Sequence, residues 1–197
     1  MRVSMLLAFA ATLLLAVFWD GPGVSHPAGV LVPYEPEQQL VGTPRTWRFN
    51  DADVTTLATF RVRAEVLLTE RYWHGMDASV SPVDLTLGWR LMSNQEILDG
   101  LHLYHMRRAY SWSARNGRLP APGSEIATHS ANMHMVPSTP EIDEGLRALR
   151  RGELIDIHGY LVEIRLPDGG VWRSSLSRDD VGNGACELVW VTDLAKL

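Results

Sequence analysis

The sequence predicts an α+β protein: an N-terminal apolar helix, then a mainly antiparallel β domain with a few short helices. Three observations carry this. Residues 3–19 (VSMLLAFAATLLLAVFW) run without a charge. Residues 57–68 alternate apolar and polar side chains, the mark of a strand with one buried face. The last third holds several short apolar runs divided by turn residues such as Pro167-Asp168-Gly169-Gly170, which suits a small sheet curling into a half-open barrel. The chain divides into a leader over 1–19, a proline-rich linker over 20–45, and one domain over 46–197.

The leader comes first. Its seventeen residues make a helix of about 26 Å, just short of a bilayer core of about 30 Å. Gly21-Pro22-Gly23 offers a poor cleavage site, and Phe18 and Trp19 suit an interfacial anchor. Anchoring is therefore preferred. Cleavage is the alternative and would leave a secreted or periplasmic domain. Arg2 precedes the run and Asp20 follows it, so the positive-inside rule places the body on the extracytoplasmic side of the cytoplasmic membrane. Pro22, Pro27, Pro33, Pro36 and Pro44 then predict an extended spacer.

Composition narrows the function. A net charge of −5 leaves no basic block to neutralise phosphates, so nucleic acid is not an expected partner. Cys186 is the only cysteine, so the domain holds no internal disulfide.

Along the body, 57–68 is the clearest strand, and 69–78 is a loop containing Tyr72, Trp73 and His74. Ser81-Pro82-Val83-Asp84 has the form of a helix start, with a short helix to about Gly88. Ser93 and Glu96 form a capping box for a second short helix that stops at Gly100. Residues 101–112 fit a strand, favoured by Gly100 and the aromatic content, or a helix. Residues 117–123 form a loop, and 126–136 are extended up to Pro137. Ser138 and Glu141 cap a helix over 139–151, with acids in its first turn, Arg147, Arg150 and Arg151 at its end, and Gly152 beyond. A strand over 154–166 kinks at Gly159, 171–176 returns, 177–185 is a polar loop, and 186–191 is a last apolar strand.

Four histidines are candidate metal ligands: His102 and His105, then His129 and His134. On strands, residues three or five apart face opposite ways, and no zinc-site spacing is present. Ser130 beside His129 suggests a nucleophile and base, although strand neighbours diverge and there is no GxSxG elbow. The loop from Asp179 to Cys186, with Asp180, fails the EF-hand pattern, and its Asp, Asn and Gly residues suit a turn. Cys186 is a candidate thiol nucleophile, or a small buried residue before the final strand. No cofactor is expected. Trp47, Trp73, Trp89, Trp112, Trp172 and Trp190 suit either a core or a binding groove.

The strings SPVDLTLGW, HSANMHMVP and SSLSRDDVGNGACELVWV together resemble a group of bacterial inner-membrane-anchored proteins with no assigned function. The resemblance spans about Phe60 to Val191. It implies export and a single domain, and it carries no catalytic residue over.

The expectation is a non-catalytic, membrane-tethered extracytoplasmic binding or assembly domain. Its partners would be the membrane, through the N-terminal helix, and another membrane or envelope protein. The rival is an exported hydrolase-like or metal-binding protein using His129, His134 and the Asp179–Cys186 loop. The rival requires those side chains to converge in one cleft. The binding domain predicts them scattered.

Overall fold

The structure, a computed structural model, describes residues 23–177, 180 and 185–197. The leader over 1–19, Asp179, and residues 181–184 of the polar loop lie outside the described residues. Among the described residues, no helix is long and apolar enough to cross a membrane. The body is mixed α+β and mostly strand.

The spine is β3 (Ala52–Arg71), after short strands β1 (Glu37–Leu40) and β2 (Thr46–Phe49) that pair antiparallel to it. Helix α1 (Met76–Val80) leads into β4 (Val83–Gly88). A 3-10 turn (Arg90–Ser93), helix α2 (Gln95–Asp99), hairpin strands β5 (Leu101–His105) and β6 (Tyr110–Ala114), and helix α3 (Gly123–Thr128) follow. Then come β7 (Ser130–Pro137), α4 (Pro140–Arg147), β8 (Leu154–Arg165), β9 (Val171–Arg173) and β10 (Glu187–Lys196).

Five strands pair in a ring. β3 pairs with β4, β4 with β7, β7 with β10, β10 with β8, and β8 again with β3. Only β7 and β10 run parallel within the ring. Alternate residues, including Phe60, Val62, Leu85, Met133, Ile157 and Val189, fill its inside, and Leu146 and Leu149 close it. The β3–β8 register slips between Thr56 and Ala58. That slip separates Ala58 and its successors, inside the ring, from Ala52 and Val54, which pack in a second cluster with Val136, Val162 and Leu188. Gly159 sits where β8 bends across β10. A Cβ there would strike the Trp190 carbonyl, so only glycine permits the approach.

Several local expectations change. The predicted helix at Ser81 is strand β4. Val83, Leu85 and Leu87 point into the ring while Asp84 and Thr86 point out, and tertiary burial of both faces overrides the capping signal. Residues 101–112 are strand, broken by a turn in which Met106 N–H donates to the Ala109 carbonyl and Arg107 takes φ 54°. Residues 126–128 are the end of α3, so the extended run begins at Ser130. The second short helix is capped by Asn94, whose side chain accepts from Glu96 N–H at 3.1 Å. Ser93 Oγ instead accepts from Val32 N–H at 2.9 Å. Helix α4 is capped by Thr139, not Ser138, and ends at Arg147.

The proline-rich segment lies along the body over 23–45 instead of extending away. Val24 N–H donates to Arg151 O at 2.8 Å, Val30 bridges Asn94, Val32 is buried, and β1 joins the sheet. Near its start, His26 Nε2 contacts Gly152 O at 2.6 Å, and buried Glu65 lies close to His26 and Arg151. Burial pushes the Glu65 carboxyl up to about 7 against the opposing influence of those two residues. A folded-state value above the usual 4.5 means stability is fully present below pH 4.5 and is lost as pH rises through about 7. Glu65→Gln will therefore raise stability at pH 8 by roughly 1–3 kcal/mol and flatten that decline in urea denaturation. An unchanged profile contradicts this.

Candidate functional site

The outer face of β4 and β7 carries the chemistry. Within each strand the residues between ring-filling side chains project outward, and the register sets Asp84 opposite His134 and Thr86 opposite Asn132. Two insertions cover this face. The β5–β6 hairpin and its turn bring His105, Arg108 and Tyr110 from one side, while the β8–β10 connection brings Trp172 and Cys186 from the other. Leu98, Leu101 and Ile126 bury against Leu67 and Met92, which fixes the first insertion on the barrel.

Asp84, fully buried, is the hub. Its Oδ1 accepts from Arg108 Nη1 at 3.0 Å and from the His134 ring Nδ1 at 2.9 Å, and its Oδ2 accepts from the Tyr72 hydroxyl at 3.1 Å. Arg108 Nη1 also donates to the Ser81 carbonyl at 3.0 Å. The guanidinium lies 3.8 Å above the Tyr72 ring and 5.1 Å from the Trp172 ring, whose own centroid is 4.7 Å from His134. Among the described residues, all hydrogen bonds of that guanidinium run through Nη1.

Electrostatics follow from this packing. Burial by itself would lower the His134 pKa. Hydrogen bonds to Asp84 and Cys186, together with their charges, outweigh it and hold the ring at about 9, so His134 is an imidazolium at neutral pH. Burial and then the Asp84 charge push the Tyr72 hydroxyl up. One fully buried carboxylate thus faces both Arg108 and the His134 ring. A cavity of about 340 Å³ opens beside it, walled by Arg108, His134, Trp172, Leu166, Val171 and Asp77.

The residues singled out in the sequence separate into two groups. His134 and Cys186 come together: Cys186 is near enough to raise the pKa of the His134 ring, and its thiol donates to the Arg108 carbonyl oxygen at 3.8 Å. The others do not join this pair, although His105 reaches the same outer face at Thr86. His102 is exposed on β5. His105 contacts Thr86 Oγ1 at 3.0 Å and Glu70 at 3.6 Å, and burial lowers its pKa. His129 lines a separate cavity with Arg90 and Glu125, and burial lowers its pKa first, Arg90 second. Ser130 donates to Ile126 O at 2.6 Å and meets the Tyr110 hydroxyl at 2.6 Å, so it pins a helix to a strand and has no histidine base. Asp180 accepts from Ser175 Oγ at 2.6 Å. Among the described residues, no three His, Cys, Asp or Glu side chains are grouped to hold a metal ion.

Asp84, Arg108 and Tyr72 complete the cluster without having been singled out as site residues, and so does Trp172, one of the tryptophans that suit either a core or a groove. The alternation of Val83-Asp84-Leu85-Thr86-Leu87 was the available signal for Asp84. No protein-family model, no curated protein and no solved structure matches this chain.

Proposed function

We propose that this chain is a membrane-tethered extracytoplasmic binding domain whose ligand carries an anionic group and a flat apolar part. The observation that carries the reading is where the Asp84 cluster falls in the barrel. The ring order β3–β4–β7–β10–β8 is that of a five-stranded OB barrel, whose ligands bind on the second and third strands between the first–second and fourth–fifth loops. Those strands are β4 and β7 here. The connections are that from β3 to β4, with Tyr72 and Asp77, and that from β8 to β10, with Trp172 on β9 and Cys186 just before β10. The cluster lies where all four meet.

Two features narrow the ligand. The β5–β6 hairpin packs onto that face and takes the space a polymer would need, while the remaining 340 Å³ suits a small molecule or one end of a larger one. Arg108 and the His134 imidazolium supply the charge that a carboxylate or phosphate requires, and Trp172 supplies a ring to stack on.

The apolar run over 3–19 and Arg2 support the membrane location. Val24 is bonded to Arg151, so the five residues from Trp19 to Val24 limit the distance between anchor and body to about 18 Å.

The reading is tested by thermal melting with a panel of small carboxylates and inorganic phosphate. Wild type will gain stability with at least one aromatic carboxylate, and Arg108→Lys, which keeps the charge but loses the planar fork, will lose that gain. Equal responses from the two proteins, or none from wild type, contradict it.

A further inference from the structure

We propose that Cys186 is a nucleophile that takes the acyl group of a ligand whose anionic end sits on Arg108, with His134 carrying the proton and Asp84 as its positioning residue. The inference rests on the binding site above and adds a covalent step to it. Three facts support it. Cys186 is half-buried immediately before β10, two residues before Leu188, which pairs with His134 across the parallel ladder. Its side chain therefore falls on the same outer face as His134. The His134 ring beside Cys186 is itself held at Nδ1 by a carboxylate with no exposure at all, which fixes its orientation as in the base–orienter half of a nucleophile–base–orienter chain. His134 also belongs to the cavity wall, so one residue joins the bound ligand to the sulfur.

The step balances as acyl transfer to water. Cys186 and His134 share one proton. The sulfur forms a bond to the acyl carbon as the bond from carbon to its leaving oxygen or nitrogen breaks, and His134 gives the shared proton to that leaving atom. Water then adds to the thioester, His134 takes the proton back, and the free acid departs with the thiol pair restored. No oxidant or metal is required.

The sole cysteine makes the test unambiguous. Alkylation of the native full chain with iodoacetamide, a neutral probe, is compared with the same chain in guanidinium across pH 5–10, and iodoacetate, an anionic probe, is run in parallel. The proposal expects native Cys186 to react with iodoacetamide about tenfold or more faster than the denatured chain at pH 7. It expects His134→Gln to remove that excess, and Asp84→Asn to shift the pH profile. Native protein reacting no faster than denatured protein overturns the nucleophile, and this arm needs no variant to fold. The iodoacetate-to-iodoacetamide rate ratio reports separately on the anion site. It will be several-fold higher in native wild type than in the denatured chain and will fall in Arg108→Lys. A fast thiol with a flat ratio would refute the anion site, and so overturn the acyl ligand proposed here, while leaving the thiol reactive.

Discussion

Replacing Asp84 by alanine will destabilise the fold by on the order of 3–5 kcal/mol, the range for removing one partner of a buried ion pair. The reason is what remains. Arg108 and His134 both direct a donor at Asp84 Oδ1, and Tyr72 directs another at Oδ2. With the carboxylate gone, a guanidinium and an imidazolium stay close together in a largely dry space, and three donors lose their acceptor. Neither cation can escape by a simple rotation, because Arg108 is packed against Tyr72 and His134 sits on a central strand of the ring. Chemical denaturation at pH 7 reads the loss. A change below about 1 kcal/mol would mean that the cluster is solvated and the charges are independent. Tyr72→Phe, which removes one donor and leaves both cations paired, will cost about 1 kcal/mol.

The second large effect is on pH. His134 has a folded value of about 9 against 6.5 for an ordinary imidazole, so its contribution is complete below pH 6.5 and is lost as pH rises through about 9. The full swing is roughly 3 kcal/mol. Glu65 loses stability in the same direction but in a lower window, from pH 4.5 to about 7. Above pH 7 the decline therefore belongs mainly to His134. Denaturation midpoints measured from pH 6 to 10 will fall steadily in wild type and in Glu65→Gln, and the part of the fall above pH 7 will be much smaller in His134→Gln. A decline of equal size in all three proteins would assign it to some other group.

Much of the scaffold was legible in the sequence. The alternation from Thr59 to Leu68 marks β3, the Gly159 break marks the bend of β8, and the run after Cys186 marks β10. The capping residues near 94 and 139 locate the starts of α2 and α4 within one residue, although α4 ends at Arg147 and not at Arg151. The errors share a cause. At Ser81-Pro82 a local signal for a helix start competed with a five-residue alternation, and burial on both sides of β4 decided for the strand. In the proline-rich segment, proline's lack of a donor suggested free chain, yet Val32 and β1 find partners on β3 and the 3-10 turn. The site was legible only in its parts. His134 and Cys186 drew attention as residue types, but their meeting depends on the parallel pairing of β7 with β10, fifty residues apart in the chain. Arg108 and Trp172 arrive from two separate insertions, and no spacing in the sequence reports that.

The polar cluster has a second consequence for how the domain works. Its insertions are held to the barrel partly by charge, through Arg108 on one side, and partly by packing, through Trp172 on the other. Neutralising Asp84 will therefore loosen both insertions.

The most direct measurement is an NMR titration of the His134 ring in the native protein, followed at its carbon-bound protons from pH 5 to 11. An imidazolium held by Asp84 beside Cys186 predicts a midpoint near 9, with a lower midpoint in Cys186→Ser, which removes the sulfur's influence on the ring. A midpoint at 6.5 or below, unchanged by Cys186→Ser, would contradict it, because His134 would then be neutral at pH 7 and coupled to neither Asp84 nor Cys186.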